Sequence, residues 1–318
     1  MDYQIFFITG LPKSGTTWMM NMLNSIDGIC CLGEGKFFSS GLTNVPSLYD
    51  AIKNGIYNWH NFIAHRKNNW LNLDKHITTI NKTNILPNKV LERSLQKETD
   101  TIIRKYIIHL FNKAKQQNTI LIGDKSPLLY TNEFSRIIRI FPEAKIIFLI
   151  RDLENFIISI LFHFWRSNKD NRSDKSICLF TSDDFIIINN FLTSGNNMKK
   201  IARTSTIKRL ANIWKNTNSF VYKKSKTHKQ ILIVYYNKLK LQPYRHLKNI
   251  LDFLNINIEK DSINNIIEKN SIDNIMKSNN TVLQEHINKY KVKLNYYIDD
   301  NINKLIENYQ LYLDTLIK

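Results

Sequence analysis

The chain has 318 residues, 43% of them apolar, enough to build one large core of the ~250 to 300 residues at which single cores stop growing. Lysine and arginine number 45 against 27 acids, a formal net charge of +18, so the surface attracts anions. Those basic residues are scattered, and the abundance of Asn, Lys and Ile equally fits the bias of an AT-rich genome. With three cysteines, two of them adjacent at Cys30 and Cys31, a disulfide scaffold is excluded; so is a spanning helix, since no run approaches the ~20 apolar residues it needs.

The first residues, Met1-Asp2-Tyr3, lead into an apolar run rather than a basic leader, which gives the expectation of a cytoplasmic protein. Ile5 to Thr9 reads as a buried strand, Gly10-Leu11-Pro12-Lys13-Ser14-Gly15 as a loop, and Thr16-Thr17-Trp18 as a helix start. Glycines at 10 and 15 let the backbone turn tightly and bring its N–H groups toward an anion, to which the helix dipole adds about half a positive charge. The spacing G-x-x-x-x-G followed by two threonines matches a Walker loop, except that Thr16 stands where the lysine belongs and Lys13 comes earlier. A shorter phosphate chain than a nucleoside triphosphate is the expected ligand.

Residues 36–120 read mostly as helices and loops, with Ser94 to Lys115 at helical period. Strand-like runs recur at 119–122, 145–150 and 230–235, and helical patterns at 132–140, 153–165, 206–225, 243–254 and 299–317. The alternation predicts an α/β fold: a P-loop-type, doubly wound parallel sheet flanked by helices, in a single domain over residues 1–318. Residues 166–200 are polar around one apolar island at Phe185 to Ile188, the composition of a helical or loop insertion. Such a segment suits a lid over the site or a solvated excursion.

Ile146 to Ile150 is a buried strand ending in Arg151-Asp152, with Ser159 on the next helix. A strand's C-terminal end is where open α/β sheets bind ligands, and the planar arginine fork with a serine hydroxyl suits a phosphomonoester. Alone, Arg151-Asp152 reads equally as a surface ion pair.

Pro12-Lys13-Ser14-Gly15-Thr16-Thr17-Trp18 resembles the 5′-phosphosulfate loop of sulfotransferases, and Arg151 with Ser159 resembles their 3′-phosphate motif. These enzymes move a sulfuryl group from 3′-phosphoadenosine-5′-phosphosulfate (PAPS) to an acceptor, releasing the bisphosphate PAP. The family usually has proline two residues after the arginine; this chain has Leu153. Val234-Tyr235-Tyr236-Asn237 through Pro243 to Leu254 resembles a third segment of the family, in which Tyr236 borders adenine and Trp18 stacks on it, although the usual acidic pair is replaced by Asn237 and Lys238. The resemblance thus implies donor contacts from Lys13, Ser14, Gly15, Thr16, Thr17, Trp18, Arg151, Ser159 and Tyr236. Ser271 to Lys277 is similar to the segment preceding a basic glycine loop over the nucleotide, but the glycines are missing. Lys289, Lys291 and Lys293 are assigned no role.

Sulfuryl transfer has a loose transition state, so the protein must align the acceptor, stabilise charge on the leaving phosphate and remove a proton. Lys13 fits the charge-stabilising task without a metal. The histidine used by small-molecule sulfotransferases is absent from Gly123-Asp124-Lys125-Ser126-Pro127, whereas Gly33-Glu34-Gly35-Lys36-Phe37-Phe38 resembles the base element of carbohydrate sulfotransferases. The resemblance implies Glu34 as general base and Lys125 as an auxiliary charge stabiliser; a solvated glutamate between two glycines has the same sequence. His163 reads as a core or surface histidine, and His60 and His65 lack metal-ligand partners. The expected partner is a hydroxyl-bearing small molecule or glycan, not a nucleic acid. The rival readings are a P-loop ATP-dependent kinase and an inactive, polyanion-binding sulfotransferase-like protein.

Overall fold

Short, nearly continuous apolar runs build the sheet on which everything else is mounted. The computed structural model describes residues 2–39, 46–55, 89–169, 180–193, 200–271, 274 and 298–317. Its strands are β1 Gln4–Gly10, β2 Ile29–Gly33, β3 Leu121–Lys125, β4 Lys145–Ile150 and β5 Ile231–Tyr235, forming one five-stranded sheet in the order β2-β3-β1-β4-β5. Every pairing is parallel, with Ile8 opposite Lys125 on one side and Ile147 on the other.

The pleat sends alternate residues to opposite faces. Ile5 and Phe7 of β1 join Ile146 and Phe148 of β4 in the core of one face, while Phe6, Ile8, Ile147 and Leu149 fill the other. Both faces are covered by helices, as a parallel sheet requires. The first face carries α2 Lys89–Ala114, α3 Thr131–Ile140, α4 Leu153–Lys169, α5 Ser182–Thr193, α6 Thr204–Ser225 and α10 Asp300–Ile317. The second carries α1 Thr16–Asn24, α8 Pro243–Leu254 and α9 Lys260–Lys269, with the short α7 Tyr236–Leu241 linking β5 to α8. A further helical stretch spans 48–55. In α8 proline opens the helix, Leu247, Ile250, Leu251 and Leu254 form the buried stripe, and Asn255 closes it at φ 62°, each where local chemistry favours it.

β3 and β4, successive along the sequence, flank β1 from opposite sides. This reversal opens a crevice at the C-terminal ends of β1 and β4, the position at which open α/β sheets bind ligands.

The predicted α/β sheet stands, with two corrections. β2 was not among the strand-like runs read from the sequence; its five residues with two cysteines are too short for a pattern, and pairing with β3 makes it a strand. The run expected at 119–122 is displaced to 121–125, because Gly123 fits only by letting the Phe6 carbonyl approach where a side chain would stand, and Asp124 is buried by hydrogen bonding. In 166–200, read as a helical or loop insertion, the apolar island lies inside α5. That helix is pinned by stacking of Phe180 on Phe164 at 4.3 Å, and by buried Asp184, which accepts hydrogen bonds from Arg203 and Thr206. His60, His65, most of 271–277 and Lys289, Lys291 and Lys293 lie outside the described residues. Among the described residues no helix is long and apolar enough to cross a membrane.

Candidate active site

β1 delivers the chain into a loop held in costly backbone conformations. Lys13 has φ 68° and Gly15 φ 96°; for the lysine this left-handed geometry costs about 1–2 kcal/mol. A Cβ on Gly15 would fall on the Tyr236 ring, so only glycine lets that ring cover the loop. α1 begins at Thr16 with Gly15 as N-cap and no side-chain cap, leaving first-turn N–H groups without side-chain acceptors. Beside them the buried Ser14 hydroxyl has no hydrogen-bond partner among the described residues. A bound anion satisfies both. Thr16 is buried at the helix start and Thr17 exposed.

Arg151 comes from the end of β4 to meet this loop. Its Nη1 donates to the Lys13 carbonyl at 2.9 Å and to Ser159 Oγ at 3.2 Å. The guanidinium lies 4.9 Å from the centroid of the Tyr236 ring, and the Arg151 carbonyl accepts from Trp214 Nε1 at 2.8 Å. Asn237, where a family acid was expected, donates to Asp152 at 3.0 Å and ties α7 to the end of β4. Trp18 and Tyr236 meet edge to face at 5.7 Å, and Trp18 Nε1 donates to the Asn270 carbonyl at 2.8 Å. Together they offer an aromatic border beside the loop, the surface a purine needs.

On the other side of Lys13 the ends of β2 and β3 carry an ion pair. Gly33 pairs with Lys125 in the sheet, and the next N–H, that of Glu34, donates to the Lys125 carbonyl at 2.8 Å. The chain then turns back, with Glu34 at φ 39° and Lys36 at φ 50°. Lys125 Nζ donates to Glu34 Oε1 at 2.7 Å; the lysine side chain is 5% exposed and the glutamate 53%. Asp124 holds the turn by accepting from the Gly35 N–H at 2.9 Å and from Ser126 Oγ at 2.6 Å. Burial pushes the Asp124 carboxyl up to about 6, with those hydrogen bonds and Lys125 opposing the rise. Burial likewise lowers the Lys13 ammonium to about 8, helped by Arg166 and Lys125 and opposed by Glu34.

The structure therefore gathers Lys13, Ser14, Gly15, Thr16, Trp18, Arg151, Ser159 and Tyr236 along one rim, with Glu34 and Lys125 in the electrostatic neighbourhood of Lys13. Thr17 is on the exposed side of the first helical turn. Asp124, Asn270 and Arg166 were missed. Asp124 and Asn270 carry no local signal, but Arg166 lies seven residues after Ser159 on one helix, a spacing that points both the same way. Among the described residues no group of three or more His, Cys, Asp or Glu side chains is placed to hold a metal ion.

Residues 4–304 match the family model of the sulfotransferase domain. No curated protein matches the chain. Among solved structures, a mouse sulfotransferase complexed with PAP is 14% identical, covering 96% of this chain and 82% of its own, with a TM-score of 0.49. The sulfotransferase domain of the Synechococcus olefin synthase is 18% identical, over 82% of this chain and 76% of its own, at a TM-score of 0.44. A sulfotransferase from Mycobacterium avium is 12% identical, over 84% and 68%, at 0.45.

Proposed function

Because the chain belongs to the sulfotransferase domain family, we propose that it transfers a sulfuryl group from PAPS to an acceptor hydroxyl and releases PAP. The observation that carries this reading is the pairing of two anion-seeking features across one crevice. One is the uncapped start of α1 with the buried, unpartnered Ser14 hydroxyl; the other is the Arg151 guanidinium on Ser159. That pairing fits a ligand with an anionic group at each end.

Ser14, Thr16 and the first N–H groups of α1 hold the 5′-phosphosulfate end. Arg151 and Ser159 take the 3′-phosphate, and Trp18 and Tyr236 border the purine. When bound, the donor supplies an electrophilic sulfur on a phosphate leaving group. Glu34 accepts the proton of the acceptor hydroxyl as that oxygen bonds to sulfur. The sulfur–phosphate oxygen bond breaks, its electron pair stays on the phosphate oxygen, and Lys13 stabilises the charge that collects there. Lys125 holds Glu34 in place and adds positive charge beside the transferred group. The acceptor is a hydroxyl-bearing small molecule or glycan.

Adenosine 3′,5′-bisphosphate should raise the melting temperature more than ATP with magnesium does. The reverse ranking would replace this reading by a P-loop kinase.

A further inference from the structure

One cation near Lys13 has no part in the roles given above. Arg166 lies on α4, seven residues beyond Ser159, which places it on the same helical face about 10 Å further along the axis. Ser159 marks where Arg151 clasps, and Arg166, further along the same helix, is near enough to Lys13 that, after burial, it does most to lower that ammonium. Its side chain is half-buried, its Nε is fully enclosed, and among the described residues it makes no hydrogen bond or ion pair. Other arginines here behave differently: Arg104, Arg136, Arg139 and Arg203 each hold a carboxylate. The carboxylate of Glu34 is already taken by Lys125. Among the described residues Arg166, Lys13 and Lys125 thus bring three positive charges to the carboxylates of Glu34 and the buried Asp124, neither of which bonds to Arg166, and a half-enclosed guanidinium without an anion is costly.

The donor supplies an anion for Lys13, but its other phosphate is committed to the Arg151 end. We propose that Arg166 selects the acceptor: the accepted molecule carries an anionic group, a carboxylate or a sulfate ester, close to the hydroxyl it presents to Glu34. The planar guanidinium fork matches either group with two parallel hydrogen bonds. This inference rests on the reading of the site as a PAPS-dependent transferase.

The test uses the full chain, labelled PAPS and metabolites of the source cells split by anion exchange into anionic and neutral pools. Wild-type protein should label the anionic pool. Arg166→Ala should cut that labelling by about tenfold or more, the loss expected of a charge-assisted hydrogen bond, and Arg166→Lys should restore part of it. PAP affinity, measured by calorimetry, should change less than about threefold in Arg166→Ala, because no donor contact is lost. Methyl esterification of the anionic pool separates the two sources: it removes labelling of a carboxylate acceptor and leaves that of a sulfate ester. Label in the neutral pool alone or in neither pool, unchanged labelling by Arg166→Ala, or a tenfold or larger loss of PAP affinity in that variant, about 1.4 kcal/mol, overturns the proposal. A wild-type chain that does not bind PAP would instead sink the donor reading.

Discussion

The buried ammonium of Lys125 reaches outward to the exposed carboxylate of Glu34, 2.7 Å away, across the ends of two adjacent parallel strands. The arrangement fixes one carboxylate oxygen and leaves the other side of the group toward solvent, where an acceptor hydroxyl can approach. A left-handed backbone at Glu34 is the cost of aiming it there.

Glu34→Gln keeps an oxygen for Lys125 but removes the proton acceptor. Turnover should fall by about 10²-fold or more, as loss of a general base does, while PAP affinity stays within a few-fold. Single-turnover sulfate transfer beside PAP calorimetry checks this; undiminished transfer would move the base elsewhere.

Lys13 enters binding with its ammonium already lowered to about 8. Phosphate oxygens beside it raise that value in the complex, so the contribution to PAP binding is fully present below pH 8 and declines as pH rises above it. Calorimetry at pH 8.5 in buffers of different ionisation enthalpy should therefore show proton uptake on binding. Lys13→Ala should abolish transfer, weaken PAP binding and remove the uptake; uptake that survives the substitution would assign the proton to another group.

Gly15→Ala places a methyl group on the Tyr236 ring at a backbone angle that favours glycine. The ring must move, and with it the cover over Arg151. The expected result is a loss of PAP affinity of about tenfold or more, or roughly 1.4 kcal/mol. Adding Tyr236→Ala should make the two effects less than additive, since they disturb one contact. Strict additivity in the double-mutant cycle would show that the ring and the loop act independently.

Asp124 is 1% exposed, and its carboxyl is pushed up to about 6 from an ordinary value near 3.8. The folded state therefore binds this proton more tightly than the unfolded chain. The associated stability is full below the unfolded value and is lost as pH rises through about 6. Asp124→Asn carries no charge to desolvate and keeps an oxygen for the Gly35 N–H. Its stability relative to wild type should rise between pH 4.5 and 7.5 by up to about 2 kcal/mol, since about a third of the ceiling set by about two pKa units is already lost at pH 4.5. Urea unfolding at the two pH values measures the difference; a gap that does not widen with pH would show that Asp124 is compensated by its neighbours.

Much of the fold was legible because its signals are local. The apolar run of β4, the stripe of α8 between Pro243 and Asn255, and the glycine-framed loop before Thr16 each contain their own instructions within about a dozen residues. β2 was not legible, since five residues become a strand only when β3 lies beside them. The buried Asp124 ran against the pattern used to find strands, because its burial depends on the Gly35 N–H and Ser126, which the fold supplies.

By itself the sequence determined the glycine-framed loop before Thr16, the Arg151–Ser159 spacing and the alternation that makes a parallel sheet, all properties of contiguous segments governed by backbone sterics and periodicity. Only the tertiary structure decided that Glu34 meets Lys125 across 91 positions, that Tyr236 closes on Gly15, and that Arg166 comes within electrostatic reach of Lys13 with no ion pair among the described residues. The strand order decides such meetings: by bringing distant strand ends to one edge of the sheet, it sets charges against each other at a range where burial and Coulomb forces, rather than local propensity, define the chemistry.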